Sequence, residues 1–285
     1  MHFPVLTLAL LAQLPSSLAS PTAPPKGKRI QWVGHSFHWF LPEPVAQLAT
    51  EAGIQGHVNI GVDRIGASTP CQHWNKGGND TNTVKETLKA AKADVLTLAT
   101  RELPQEECVP KFAQLGFQYK KDLRVMVHET WLPQSAAKDA EGCADWGCTN
   151  RDAATIDVLE DTRNKLEIPY KNKLRAQLQR LNAQAGTNLT SIVPVWDAVI
   201  SMREMVVKGQ LPGVPKQSSL FMDKLGHAQK PLRDMASYMW FAALYNINPI
   251  GSKVLTTGTP AGQAAILQKL AWETLKKEPL NGIGL

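Results

Sequence analysis

Ser36, Asp223 and His227 are the residues of this chain whose types could together do covalent chemistry. A serine hydroxyl is a poor nucleophile until a base takes its proton. An imidazole is such a base near neutral pH, and a carboxylate beside it fixes its tautomer and stabilises the imidazolium. Ser36 lies in Gly34-His35-Ser36-Phe37-His38-Trp39, directly after the strand-like run Arg29-Ile30-Gln31-Trp32-Val33. A tight Gly-x-Ser turn there exposes a hydroxyl at a strand's carboxyl end, where open α/β sheets collect functional groups. Asp223-Lys224-Leu225-Gly226-His227 follows a Gly- and Pro-rich stretch and precedes an apolar helix. Each part also has a plain structural reading: a serine after a strand caps a helix, and an Asp near a His starts one beside a solvated ring. Taken singly those readings are preferred; the combination points to catalysis.

The elements that must position these residues alternate between strand and helix patterns. Strands are expected at 29–33, 57–62, 94–99, 123–128 and 189–195, the third apolar enough to be central. Helical spacing covers 44–52, 84–92, 106–116 (with Gly116 as a stop), 152–185 (with a break at Ile168-Pro169), 196–208, 231–245 and 263–276. Such βα repetition without hairpins predicts a parallel sheet between helical layers, in one domain over residues 29–285. Residues 129–151 form a long loop containing Trp131, Trp146 and two cysteines.

Residues 1–19 read as a secretory signal peptide, with an apolar stretch too short to span a bilayer and Ser17-Leu18-Ala19 as cleavage site. Residues 20–28 form an extended lead-in. The expected location is therefore extracellular, and the four cysteines fit it as disulfides rather than metal ligands, since no Cys-x-x-Cys occurs. A local Cys143–Cys148 bridge would leave Cys71 to pair with Cys108. Asn79 and Asn188 head glycosylation sequons. The net charge of +6 is scattered, without a basic run interleaved with aromatics, which argues against nucleic-acid binding. No metal spacing stands out among the His, Asp and Glu residues, and no cofactor is expected. The expected form is a monomer acting on a small-molecule or polysaccharide ester, without stable membrane association.

His35 and His38 flank Ser36, and His128 with Glu129 ends the fourth strand ahead of Trp131. These are candidate substrate contacts, with packing the competing role. Trp39, Trp74, Trp131 and Trp146 are candidate edge tryptophans for stacking on sugar rings; Trp32, Trp196 and Trp240 read as core. The chain has no Gly-x-Ser-x-Gly, so the nucleophile elbow of α/β-hydrolases is excluded.

Gly34-His35-Ser36-Phe37 at the first strand, with Asp223 and His227 in one late loop, resembles the SGNH/GDSL hydrolase family over most of residues 29–245. The match is to a divergent secreted branch with a Gly-x-Ser-Phe start and a His-Trp pair, here His73-Trp74, after the second-strand glycine. The resemblance implies a three-layer α/β/α sandwich with a flavodoxin-like parallel sheet of about five strands. It implies a serine hydrolase of carboxylic esters, with Ser36 as nucleophile, His227 as general base and acid, and Asp223 orienting His227. The backbone amides of Ser36 and Gly66, in Ile65-Gly66-Ala67-Ser68, would form the oxyanion hole. His35, His38, Trp74, Arg101, His128 and Trp131 are the candidate substrate contacts.

Three departures stand out. His35 replaces the Asp usual before the serine, the last block reads Asp-x-x-x-His rather than Asp-x-x-His, and the Gly-x-Asn expected after the third strand is missing from Leu98-Ala99-Thr100-Arg101-Glu102. Arg101, a residue of the 71–80 loop, or no third donor at all are the alternatives. Gly77-Gly78-Asn79-Asp80 precedes the third strand and is out of order for the role. The leading expectation is a secreted esterase of acetyl or other acyl groups on carbohydrate. The alternatives are a non-catalytic carbohydrate-binding module on the same fold and a lipase or phospholipase.

Overall fold

A computed structural model of the chain describes residues 23–76, 82–101, 107–132 and 150–283. Five parallel strands form its sheet: β1 (Arg29–Gly34), β2 (Val58–Arg64), β3 (Val95–Ala99), β4 (Arg124–His128) and β5 (Thr190–Val193), in the order β2-β1-β3-β4-β5. The three inner strands bury nearly every side chain, as a sheet covered on both faces must.

The strand order sorts the helices into layers. β-α-β crossovers are right-handed, so the step from β1 to β2 puts α1 (Pro42–Glu51) on one face. The steps from β2 over β1 to β3, and onward to β4 and β5, run the other way. They carry α3 (Thr83–Lys89), α4 (Cys108–Tyr119) and α6 (Ile168–Ala185) to the opposite face, with the short α2 (Pro70–Trp74) against α4. After β5, α7 (Val195–Val207), α8 (Lys230–Tyr245) and α9 (Gln263–Lys277) return to the α1 side, where α8 packs on α1 and α9. The result is a three-layer α/β/α sandwich. Trp32, Trp196 and Trp240 lie in its core, as expected.

Two expected boundaries are corrected. Gly116 does not stop its helix: α4 runs through it to Tyr119, and a Cβ there would meet Leu123 Cδ2 at 2.1 Å. The glycine is required by close packing against the start of β4. The break expected at Ile168-Pro169 falls earlier, as a π-turn at Arg163–Glu167 joining α5 (Ile156–Thr162) to α6. Pro169 then sits in the first turn of α6, where a missing N–H is tolerated.

Cys71, in α2, and Cys108, at the start of α4, form a disulfide. Cys143, Cys148, Trp146, Asn79, the Gly77–Asp80 run and the signal-peptide segment lie outside the described residues. No helix among the described residues is long and apolar enough to cross a membrane.

Candidate active site

β1 and β3 are neighbours whose chains leave the sheet toward opposite sides, so a crevice forms at their carboxyl ends. Ser36 lies two residues beyond β1, at this point. Its Oγ is 2.7 Å from His227 Nε2, and His227 Nδ1 is 2.6 Å from Asp223 Oδ2. The short contact to a carboxylate places the ring proton on Nδ1, which leaves Nε2 as acceptor for the Ser36 hydroxyl. In this tautomer a proton can pass from Ser36 to His227 while Asp223 steadies the resulting cation.

The Asp-x-x-x-His spacing is accommodated inside the loop. Asp223 Oδ1 accepts the amides of Gly226 at 2.9 Å and His227 at 3.1 Å, leaving Oδ2 for the imidazole. The turn needs a φ of +104° at residue 226, which glycine adopts without strain. Burial works against charge on Asp223, but the hydrogen bonds from the His227 ring and from these two amides outweigh it and hold the carboxyl below its usual range. The loop is closed at its base by a Phe221–Ala228 bridge and by the Met222 amide donating to the His227 carbonyl at 2.8 Å.

Two buried side chains support this loop from below. Arg151 donates to the carbonyls of Asp223 at 3.4 Å and Lys224 at 2.8 Å, with its guanidinium over the Phe221 ring. Trp131 Nε1 donates to the Gly226 carbonyl at 3.0 Å. Trp131 also stacks on Phe37 with ring centroids 4.6 Å apart, and Phe37 meets the His227 ring edge-on at 5.2 Å. Phe37 thus walls one side of the imidazole. Arg151 is a support that sequence reading missed, since an arginine in a long polar loop gives no signal of burial.

Gly66 is placed by strand register. Gly34 pairs with Arg64, and the Ile65 amide donates to the Gly34 carbonyl at 3.3 Å. Two residues further on each strand stand Ser36 and Gly66. Neither of their amides has a hydrogen-bond partner among the described residues. A Cβ at Gly66 would meet nothing within 4 Å, so the position opens onto free space. Two unpaired amides at the register level of Ser36 are the kind of donor a developing oxyanion would require. Arg101, half-buried after β3, donates from Nη1 to the Ala67 carbonyl at 3.1 Å and so braces this same turn.

The other sequence candidates are distributed differently. His35 is buried: its Nδ1 accepts the Phe37 amide at 3.3 Å, and Nε2 donates to the Thr100 carbonyl at 3.0 Å. It is a wedge between the β1 and β3 ends rather than a substrate contact. His38 and His128 are fully buried against Trp32 and Trp240, with Trp240 Nε1 donating to His128 Nδ1 at 2.9 Å. Burial and the neighbouring histidines push both rings well below the usual range, so they stay neutral. Trp131 is likewise interior, held by its two contacts beneath the Asp223 loop. Trp74 is half-buried, edge-on to Phe112 at 5.0 Å with the Lys85 ammonium over its ring. Trp39, also half-buried, donates to the Gly34 carbonyl at 2.7 Å. The substrate-facing roles of His35, His38, His128 and Trp131 are therefore withdrawn: each is sealed by packing.

No group of three or more His, Cys, Asp or Glu side chains among the described residues is arranged to hold a metal. No family model matches the chain, and no curated protein matches it. Among solved structures it is similar to a DUF4886 family protein from Bacteroides uniformis ATCC 8492. The identity is 14%, the TM-score 0.51, and the match covers 88% of this chain and 95% of that one. At that identity the likeness speaks to the fold alone, and it agrees with the three-layer sandwich around a parallel sheet.

Proposed function

We propose that this protein is a secreted serine esterase related to the SGNH hydrolases, acting on acetyl or other small acyl esters of carbohydrate. The observation that supports it best is the unbroken Asp223–His227–Ser36 chain of hydrogen bonds, 2.6 and 2.7 Å long, at the crevice between β1 and β3. In this reading Ser36 Oγ attacks the ester carbonyl while His227 Nε2 takes its proton. The oxyanion is met by the Ser36 and Gly66 amides. His227 then protonates the departing alcohol, leaving an acyl group on Ser36. A water activated by the same imidazole cleaves that ester and frees the acid. With Trp131 buried, Trp39 and Trp74 are, among the described residues, the candidate stacking rings that are partly exposed.

The test compares wild type with Ser36→Ala on an activated acetyl ester and on acetylated xylan, with fluorophosphonate labelling of both proteins. Wild type should turn over, and the variant should lose roughly 10³-fold or more of kcat and all labelling. Equal rates would sink the reading. Preference for long acyl chains would replace it with a lipase, and polysaccharide binding without turnover with a binding module.

A further inference from the structure

The turn that carries Gly66 is held by a second Ser–His–Asp chain. Ser68 Oγ lies 2.7 Å from His73 Nε2, and His73 Nδ1 lies 2.6 Å from Asp63 Oδ2. The carboxylate again fixes the proton on Nδ1, so the Ser68 hydroxyl donates to Nε2. Asp63 Oδ1 takes an ion pair from Lys76 at 2.8 Å. Ser68 is 1% exposed and His73 0%, so this serine cannot meet an ester. A sealed copy of a reactive arrangement needs another role.

Its place in the chain supplies one. Asp63 is the penultimate residue of β2, Ser68 follows the turn, and His73 lies in α2. The hydrogen bonds therefore clamp both legs of residues 63–68, with Ile65-Gly66-Ala67 at the apex. Other contacts fix the clamp to the body of the protein. Asn82 Nδ2 donates to the His73 carbonyl at 2.9 Å, the Cys71–Cys108 disulfide ties α2 to α4, and Arg101 holds the Ala67 carbonyl. Ala67 is kept at a φ of +50°, a left-handed conformation that a non-glycine residue adopts only when its surroundings enforce it. Gly66 immediately before it is left with its amide unpaired, level with Ser36.

We infer that Asp63, His73 and Ser68 are positioning residues that aim the Gly66 amide at the oxyanion formed above Ser36. The inference rests on the esterase reading. Only the amide's aim, and not substrate affinity or proton transfer, depends on the clamp. Oxyanion donors act on the transition state, so a misplaced one lowers kcat and leaves KM in place.

The test is Ser68→Ala, which removes one hydroxyl from a buried site, with His73→Gln as second variant. kcat, KM, the pH profile of kcat/KM and the melting midpoint are measured on an activated acetyl ester, alongside wild type and Ser36→Ala. Both variants should lose about 10- to 100-fold in kcat. KM should stay within about twofold, and the acid limb of the profile should stay in place. Amide hydrogen exchange at residues 65–67 should quicken while that of α8 does not. Three results would overturn the inference: an unchanged kcat, a loss matched by the fraction unfolded, or a shifted acid limb, which would mean an effect on proton transfer rather than on the amide's aim. If one variant does not fold, the other decides the matter on the same readouts. Wild type without Ser36-dependent turnover would remove the esterase reading and this inference together. Ser36-dependent turnover with Ser68→Ala equal to wild type would remove this inference alone.

Discussion

The two Ser–His–Asp chains have the same distances, 2.7 Å from serine to imidazole and 2.6 Å from imidazole to carboxylate, yet they differ in nearly everything else. Ser36 and His227 are 191 residues apart and meet only when the whole sheet has formed. Ser68 and His73 are five apart, and Asp63 ten from His73, so β2 and α2 suffice. His227 and Asp223 side chains are 29% and 46% exposed, whereas Asp63 and His73 are 7% and 0%. The Ser36 hydroxyl stands at the open carboxyl end of the sheet and is partly exposed, whereas Ser68 is 1% exposed. On the esterase reading, hydrogen-bond geometry alone does not make a serine reactive. On that reading access to solvent separates a triad that does chemistry from one that holds a turn.

Exchanging each aspartate for asparagine should break this comparison most visibly. Asp223→Asn lets an amide donate toward His227 and favours the wrong tautomer, so kcat should fall by roughly 10²- to 10⁴-fold. The exposed position means that stability should change by less than about 1 kcal/mol. Asp63→Asn should do the reverse in emphasis. It leaves the His73 and Lys76 donors without their charged partner in a buried site and should lower unfolding free energy by about 2–3 kcal/mol. The His73 hydrogen bond is the main cause holding the Asp63 carboxyl below its usual range. Because the folded value is depressed, that stabilisation is present above about pH 4 and lost on acidification through the folded value. Urea titrations at neutral pH and under acid, with ester kinetics on both variants, check both halves. A destabilised Asp223→Asn or an unaffected Asp63→Asn would mean that the two sites are not divided in this way.

A somewhat narrower effect is expected from the covalent tie on the sealed side. The Cys71–Cys108 bridge closes a loop with a sequence separation of 37. Replacing both cysteines by alanine should lower stability by about 3–4 kcal/mol on the loop-entropy argument. Amide exchange should quicken around α2 and the 63–68 turn more than around the Asp223 loop, which is closed by its own hydrogen bonds. Equal quickening at both loops would show that the disulfide stabilises the sheet as a whole rather than one region.

Much of this architecture is legible in the sequence because parallel strands buried on both faces read as apolar runs. The runs at 94–99 and 123–128 fall within a residue of β3 and β4. Ser36 and the Asp223 loop stand out because Gly and Pro punctuate them. Other features leave no comparable mark. Gly116 looks like a helix stop, but the glycine serves the approach of Leu123, a contact across elements that local pattern cannot encode. Trp131 looks like a loop-borne edge ring, yet its chain folds back so that Phe37 covers one face and the Gly226 carbonyl takes its N–H. Asp63, Ser68 and His73 lie within eleven positions of one another, and although His73-Trp74 and the Ile65–Ser68 block stand out, nothing in the spacing shows that the three side chains join. Their linkage depends on α2 turning back over the end of β2.

The smallest effect concerns Glu129, one residue beyond β4 at the same sheet edge as Ser36 but fully buried. Burial raises its carboxyl well above the usual range; the nearby Lys171 charge opposes this, and the Glu167 and Asp197 carboxylates reinforce it. Glu129 therefore holds a proton in the folded protein that the unfolded chain releases above about pH 4.3. Folded protein binding more protons means that stability falls as pH rises through that window, by at most about 1.4 kcal/mol per pH unit. Glu129→Gln keeps a neutral side chain of the same shape, and it abolishes the release. Variant and wild type should have closely similar unfolding free energies below pH 4, and the variant should gain steadily toward neutrality. Parallel curves would mean that Glu129 is ionised in the fold. Esterase kinetics should be unchanged within about twofold, because Glu129 reaches neither the Ser36 hydroxyl nor the clamp on Gly66. A large loss of kcat would extend the reactive region inward beneath β4, and the contrast between one accessible and one sealed arrangement would have to be redrawn around a proton-sharing network that links them.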